Sequence, residues 1–178
     1  MKAVFLDRDG VLNELRRDDY VKSPEELVLL PGVAEAVRLL HRCFDLVLVA
    51  TNQQGIGKGL MTEADLAAVH SKLAAEAPGI DRIYHCPDLA HSRSFNRKPN
   101  IGMALQARHD YPSLRLKECT MVGDSMTDML FGRRAGMTTV LIGEDNPVGR
   151  EKPHLVDYHF ATLLGYARWL NIRVRGEE

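Results

Sequence analysis

The sequence predicts an α/β fold in which helices cover both faces of a central parallel sheet, a doubly wound three-layer sandwich. Three observations support this prediction. Short apolar runs alternate along the chain with longer segments of helical periodicity. The apolar runs lack strict alternation with polar residues, which is typical of strands buried on both faces. Polar clusters directly follow several runs, as expected where ligands bind beyond the carboxyl ends of parallel strands.

The first half of the chain supplies a βαβ unit and the start of another. An apolar run at 3–6 precedes a turn signal at Asp9-Gly10 and predicts a buried strand followed by a loop. Apolar residues at helical spacing over 33–40 lead to a second β-rich run at 45–50. Thr62 has the character of an N-cap, and a third strand is expected at 81–86.

The second half continues the same alternation. Further strands are predicted at 119–123, 137–142 and 158–160, and helices at 101–111, 125–135 and 163–170. The tail over 173–178 is charged enough to be frayed. No linker or internal repeat interrupts the pattern, so we expect a single domain over 1–178 without a large cap domain.

Composition narrows the class of protein. The 178 residues are 45% hydrophobic and 26% charged, as in one soluble globular domain. A net charge of -1 with interspersed signs argues against a nucleic-acid partner. The N-terminal apolar run is too short for a signal peptide or membrane span, and three scattered cysteines suggest free thiols. We therefore expect a cytoplasmic monomer that binds neither nucleic acid nor membrane.

Polar clusters follow the first, second and fourth predicted strands and precede the helix at 101–111. They cover 7–13, 51–55, 97–99 and 123–128. Carboxylates about 4 Å apart repel by roughly 4 kcal/mol at an effective dielectric constant near 20, so Asp7, Asp9 and Asp124 would need a cation among them. Oxygen ligands favour Mg²⁺ over zinc at this edge of the sheet.

Together these clusters carry a resemblance to a known family. Asp-Arg-Asp-Gly-Val-Leu-Asn after a strand, Thr51 at the next strand end, Lys98 and Gly-Asp-x-x-x-Asp resemble the haloacid dehalogenase (HAD) phosphatases. Arg97-Lys98-Pro99 and Tyr20-Val21 are similar to the heptose bisphosphate and histidinol-phosphate phosphatase branch of that superfamily. The resemblance covers nearly the whole chain.

The resemblance implies a role for each matching residue. Asp7 would attack phosphorus, and Asp9 would protonate the leaving oxygen and later activate water. Thr51 would donate its hydroxyl to the phosphoryl group, while Lys98 would neutralise charge on Asp7 and the phosphate. The implied contacts to substrate come from four further residues: Tyr20, Asn52, Gln53 and Arg97.

The resemblance also implies the magnesium ligands. They would be the Asp7 side chain, the Asp9 backbone carbonyl and Asp124, with Asp128 supporting the ligands from one helical turn further on. The substrate would be a small phosphorylated metabolite, in this branch a sugar bisphosphate.

The sequence departs from the branch in a segment that often carries a zinc loop. Cys86 occupies one expected ligand position, but the other three hold Asp88, Ser94 and Asn96. A lone thiolate does not make a closed tetrahedral site, so we expect no zinc. The alternative is a rebuilt site that joins His85 and His91 to Cys86 and Asp88.

A second departure concerns the far end of the substrate. Ser125 stands where relatives often place a lysine, and the loop over 14–19 looks slightly longer than in heptose enzymes. Its Arg16 and Arg17 are candidates to compensate for the missing cation.

Three functions remain open from the sequence. The leading hypothesis is a D-glycero-D-manno-heptose 1,7-bisphosphate 7-phosphatase, with a role in lipopolysaccharide precursor synthesis. A histidinol-phosphate phosphatase is the alternative enzyme. A phosphate-responsive binding module without turnover is the alternative from another class, but it would not need an acid/base at Asp9.

Overall fold

A computed structural model describes residues 1–176 and has the predicted architecture. Six strands lie at Ala3–Leu6 (β1), Leu46–Asn52 (β2), Arg82–Cys86 (β3), Thr120–Gly123 (β4), Thr138–Ile142 (β5) and Tyr158–Phe160 (β6). Seven α-helices lie at Val33–Leu40 (α1), Gln54–Gly57 (α2), Glu63–Glu76 (α3), Gly102–Asp110 (α4), Met126–Ala135 (α5), Pro147–Glu151 (α6) and Leu163–Gly176 (α7).

All six strands belong to one parallel sheet in the order β3-β2-β1-β4-β5-β6. The chain adds β2 and β3 on one side of β1 and then places β4 on its other side. The strand order therefore reverses between β1 and β4, which is where open α/β sheets bind ligands.

Successive residues of the inner strands face opposite layers. Val4 and Leu6 of β1 pack into a core formed with α1, α3 and α7, whereas Ala3 and Phe5 pack against α4 and α5. Phe5 meets Phe131 of α5 edge to face, with ring centroids 6.2 Å apart. The sheet is thus covered on both faces, and the predicted three-layer sandwich is confirmed.

The predicted strands agree with the structure to within two residues. Thr62 caps α3 as expected, since its hydroxyl accepts from the Asp65 amide. Two short helices were not predicted: α2 in the glycine-rich segment after Gln53, and α6.

The closing helix α7 extends six residues beyond its predicted end at Leu170. Residues 173–176 of the predicted frayed tail are helical, while 177 and 178 lie outside the described residues. Within the described chain, none of the helices has the length and hydrophobicity needed to cross a membrane.

Candidate active site

The ends of β1, β2 and β4 bring three predicted site residues to one edge of the sheet. Asp7 follows β1, Asp124 follows β4, and Thr51 lies near the end of β2. The Asp7 amide donates to the Val122 carbonyl at 2.9 Å and so continues the pairing of β1 with β4 past the end of β1. This pairing fixes Asp7 at the switch point of the sheet.

Asp7 belongs to a cluster with more negative than positive groups. Lys98 Nζ lies 2.9 Å from Asp7 Oδ1 and 2.6 Å from Asp128 Oδ1, with its side chain only 2% exposed. Asp7, Asp124 and Asp128 each offer a carboxylate oxygen within 4.8 Å of those of the other two. The cluster therefore contains three carboxylates and one ammonium group, which forms ion pairs with Asp7 and Asp128.

This charge imbalance changes the proton affinity of the cluster. Burial and the neighbouring Asp128 raise the pKa of Asp7 well above its ordinary value, against the effect of Lys98. Burial and Asp128 also raise the pKa of Asp124 to about 7. The pKa of Lys98 is raised because the attraction of Asp128 and Asp7 outweighs its burial. A cation placed between Asp7 and Asp124 would relieve the repulsion that raises their pKa values.

The donor set fits magnesium. Both oxygens of Asp128 already have partners, because Oδ1 binds Lys98 and Oδ2 accepts from the Ser125 amide and hydroxyl at 3.1 and 2.6 Å. These contacts to Ser125 form the capping box of α5. Asp7 and Asp124 have fewer protein partners, and hard carboxylate oxygens beside an open cavity are the ligands that Mg²⁺ uses together with water and phosphate.

Asp9 has a different environment from Asp7. Its Oδ1 accepts from Arg8 Nη2 at 3.0 Å and from Asn13 Nδ2 at 2.9 Å, and its Oδ2 accepts from Gln53 Nε2 at 2.8 Å. Burial alone would raise the pKa of Asp9, but the Arg8 charge and these three hydrogen bonds outweigh it and lower the pKa. Asp9 is therefore an ionised, fully bonded carboxylate.

Arg8 belongs to the Asp-Arg-Asp motif and had no predicted role, and the structure gives it one. Its side chain is fully buried, with Nη1 3.3 Å from His70 Nε2. Burial and the Arg8 charge lower the pKa of His70 to about 3, so the imidazole is neutral and can accept from Arg8. The sequence signal for this role is the position of Arg8, a charged residue just after a buried strand and between the predicted catalytic residues Asp7 and Asp9.

A cavity of about 250 Å³ opens over Asp7 and Asp9. Its walls include six of the ten predicted site residues: Asp7, Asp9, Tyr20, Asn52, Lys98 and Asp124. Four further lining residues had no role predicted from the sequence: Leu15, Asp19, Val21 and Thr127. These additional residues lie mostly on the loop after β1, whose path over the site depends on tertiary contacts.

The other four predicted site residues, Thr51, Gln53, Arg97 and Asp128, do not line the cavity. Gln53 is only 1% exposed and donates to Asp9 and, at 2.8 Å, to Thr51 Oγ1, so it supports the site from below. Arg97 Nη1 donates to the Asp88 carbonyl at 3.0 Å and thus binds its own loop.

Asn52 lies on the cavity wall but also holds the loop that carries Lys98. Its Nδ2 donates to the Lys98 carbonyl at 3.1 Å, and its Oδ1 accepts from the Lys98 amide at 3.0 Å. These two hydrogen bonds resemble the backbone pair that a residue of a neighbouring strand would make with Lys98. The backbone of Lys98 is thereby fastened to the end of β2.

Site and fold together define a phosphatase of the HAD-like hydrolases, with an aspartate pair after the first strand and a lysine and further aspartates at the switch point. A family model described as HAD-hydrolase-like matches residues 95–163. The chain belongs to the family of D-glycero-D-manno-heptose 1,7-bisphosphate 7-phosphatases.

Relatives of both anomeric types support this membership. The α-anomer phosphatase of Burkholderia mallei is 38% identical over 160 residues, covering 84% of this chain and 83% of the relative. The β-anomer phosphatase of Bordetella bronchiseptica is 37% identical over 150 residues, covering 82% and 83%.

A solved structure supports the same family membership through its similar fold. The heptose 1,7-bisphosphate phosphatase from B. bronchiseptica, complexed with magnesium and phosphate, superimposes with a TM-score of 0.83 at 33% identity. The match covers 97% of this chain and 99% of that one. The predicted membership in the HAD superfamily and in its heptose branch is confirmed.

Proposed function

We propose that this protein is a magnesium-dependent D-glycero-D-manno-heptose 1,7-bisphosphate 7-phosphatase that works through an aspartyl phosphate on Asp7. The observation that carries the proposal is the place of Asp7, on the cavity wall at the switch point, 2.9 Å from Lys98 Nζ. The substrate is inferred from the relatives that bear this name and from the covered length of their chains.

The reaction has two steps at one carboxylate. Asp7 attacks phosphorus and the bond to the sugar oxygen breaks, with Asp9 giving that oxygen its proton. Water then attacks the aspartyl phosphate and gives a proton to Asp9, so that inorganic phosphate leaves and both aspartates return to their first state. A single acid/base residue can serve both steps because the sugar and the water occupy the same side of phosphorus in turn.

The environment of Asp9 suits this exchange of protons. Without substrate it is ionised, as a general base must be, because Arg8 and three hydrogen bonds lower its pKa. An incoming phosphate dianion is a like charge nearby, which raises the pKa of the carboxylate. Substrate binding therefore favours the protonated form that acts as a general acid.

Lys98 and Thr51 neutralise and orient the transferred group. The ammonium of Lys98, held by Asp7 and Asp128, offsets charge on the nucleophile and on the phosphoryl oxygens. Thr51 Oγ1 accepts from Gln53, which leaves its own proton free for a phosphoryl oxygen. Gln53 thus acts as a positioning residue between Asp9 and Thr51.

The magnesium ligands in this proposal are the Asp7 carboxylate, the Asp9 backbone carbonyl and Asp124. When bound there, the ion supplies positive charge that balances the aspartates and the phosphate. Asp128 supports the site from outside the ligand set, since both its oxygens serve Lys98 and Ser125. Tyr20 and Asn52 remain the substrate-facing residues among those predicted.

We also propose that the segment after β3 folds without zinc. The buried Cys86 Sγ lies 3.5 Å from Asp88 Oδ2 and 3.8 Å from Ser94 Oγ, so hydrogen bonds link three of the four positions. Burial raises the pKa of the Cys86 thiol and disfavours the thiolate that zinc requires. His85 has a partner on α3 instead, with its Nε2 2.8 Å from Glu63 Oε2.

Metal analysis tests the zinc-free proposal. Protein purified without added zinc should contain far less than one zinc ion per chain and should keep its unfolding temperature after treatment with a zinc chelator in the presence of magnesium. About one zinc per chain would contradict the proposal and would point to the rebuilt site with His85 and His91.

Phosphate release tests the function. The enzyme with Mg²⁺ is offered both anomers of heptose 1,7-bisphosphate, fructose 1,6-bisphosphate and histidinol phosphate, with Asp7→Asn as the control for contaminating phosphatases. We expect the highest kcat/KM for one heptose anomer. A preference for histidinol phosphate would move the protein to the alternative enzyme, and no release from any compound would contradict the proposal.

A further inference from the structure

The cavity over Asp7 contains a second cation that the reaction described above does not use. Besides Lys98, the only basic side chain that lines the cavity in the described chain is Arg16. Lys98 is 2% exposed and bound between two aspartates, whereas the Arg16 side chain is 36% exposed on the loop after β1. The cavity therefore has a buried cation beside Asp7 and an accessible one on the covering loop.

Two carboxylates hold the Arg16 guanidinium in place. Nη1 lies 2.8 Å from Glu26 Oε2, and Nη2 lies 3.3 Å from Asp19 Oδ2. Lys22 binds the other oxygen of Asp19 at 2.6 Å, and its backbone amide donates to Glu26 at 2.8 Å. The side chain is thus fixed before any ligand arrives, which lowers the entropy cost of using it.

The guanidinium still has donors to offer. Arginine has five N–H groups, and one contact to each of Asp19 and Glu26 leaves about three without a partner from those carboxylates. A phosphate has the oxygen geometry and charge that such a fork binds best. The partial neutralisation of Asp19 by Lys22 also reduces the repulsion that a second anion would meet at this rim.

The alternative cations are placed elsewhere. Arg97 donates to the carbonyl of Asp88 and does not line the cavity, and position 125 carries a serine. A bisphosphate whose first phosphate lies against Asp7 carries its second phosphate at the other end of the sugar. Arg16 lines the same cavity and is far more exposed than Lys98, so it is the cation available to that second phosphate.

We propose that Arg16 binds the phosphate that is not transferred and so makes the enzyme selective for bisphosphates over monophosphates. This inference rests on the proposed phosphatase function and adds a specificity-determining residue to it. The neighbouring Arg17 is exposed and does not line the cavity, so it should not contribute.

The test compares substrates with and without the second phosphate. KM and kcat are measured for heptose 1,7-bisphosphate and heptose 7-phosphate, and for fructose 1,6-bisphosphate and fructose 6-phosphate. Arg16→Gln should raise KM for the bisphosphate of the preferred pair about tenfold more than for its monophosphate, as expected for loss of a charged hydrogen bond. Arg17→Gln, which removes the same charge one residue away, is the matched control and should keep the wild-type KM ratio.

Asp19→Asn gives a change in the opposite direction, which a folding defect would not produce. It removes an anion from the cavity rim while the shorter contact to Glu26, at 2.8 Å, still holds Arg16, so KM for the bisphosphate should fall severalfold. An equal rise of KM for both members of a pair in Arg16→Gln would overturn the proposal, as would a wild-type enzyme that does not favour the bisphosphate in either pair. A bisphosphate preference confined to the fructose pair and lost in Arg16→Gln would support Arg16 while refuting the heptose assignment.

Discussion

Asp7 and Asp9 are two residues apart on one loop, yet their carboxylates have opposite electrostatic environments. Asp7 shares Lys98 with Asp128 and lies close to Asp124, and its pKa is raised by burial and by Asp128. Asp9 receives hydrogen bonds from three side chains, one of them a buried arginine, and its pKa is lowered. The Asp9 carboxylate is neutralised by groups of the protein itself, whereas the cluster around Asp7 keeps an excess of negative charge that a cation from solution would balance.

This difference suits the two roles that we propose for these groups, nucleophile for Asp7 and acid/base for Asp9. A nucleophile between a lysine and a metal site is controlled by charges that substrate and magnesium bring with them. An acid/base group must keep one orientation through two proton transfers, and fixed hydrogen bonds provide that orientation. We therefore predict that substitutions around Asp7 change the net charge of its carboxylate cluster. Substitutions around Asp9 should instead change the orientation of the Asp9 carboxylate.

The largest effect is expected for Asp7→Asn. We expect turnover to fall by at least about 10⁴-fold, because the amide does not form the phosphoenzyme. The folded state should persist, and without metal its unfolding temperature should equal or exceed that of the wild type, because one of three repelling carboxylates is gone. Phosphate release and thermal unfolding in EDTA check both parts. Substantial remaining activity would refute the aspartyl-phosphate mechanism.

Gln53→Leu is expected to give an intermediate effect. Leucine keeps the approximate volume but loses the donors to Asp9 and Thr51, so kcat should fall by about tenfold with little change in KM. Gln54→Leu is the matched control, since the Gln54 side chain accepts from the Ala90 amide and makes no contact with Asp9. Steady-state kinetics of both variants would separate them. A change confined to KM would instead assign Gln53 to substrate binding, as the sequence analysis proposed.

The smallest effect concerns pH and the metal-free protein. The pKa of Asp124 is about 7 in the folded state, against about 4 for an ordinary aspartate. The folded protein therefore binds more protons than the unfolded chain between about pH 4 and 7, and this contribution to stability is lost as pH rises through that range. We expect magnesium to replace the proton on Asp124 at higher pH.

Thermal unfolding at pH 5.5 and 8, with EDTA or with Mg²⁺, measures that contribution. Magnesium should raise the unfolding temperature more at pH 8 than at pH 5.5, by a few degrees for a free-energy difference of about 1 kcal/mol. Asp124→Asn should abolish most of the difference. An equal effect of magnesium at both pH values would mean that Asp124 is not coupled to the ion.

Most of the sheet was predictable because β1, β2, β4 and β5 are short, mainly apolar and buried runs, whereas β3 and β6 at the two edges include exposed polar residues. The helix α2 was not, since its glycines and four-residue length give no periodicity. The aspartates and Lys98 could be placed by their positions after strands and before α4. The direction of the Gln53 side chain could not, because it depends on where Asp9 and Thr51 come to lie after the strands have paired. The burial of Arg8 likewise depends on His70, which is distant in the chain.

The absence of a side chain at two positions also restricts how this site could be transferred to another protein. A Cβ atom at Gly10, whose φ is +85°, would lie 2.0 Å from Asp124 Oδ2, and one at Gly123 would lie 2.2 Å from the Asp128 Cβ. An alanine at either position would therefore displace an aspartate, although it replaces none of the functional side chains. A design that transfers only the aspartates, Thr51 and Lys98 to a new parallel sheet would therefore not reproduce the site. It would also need glycine at the positions of Gly10 and Gly123 to keep the aspartates in place.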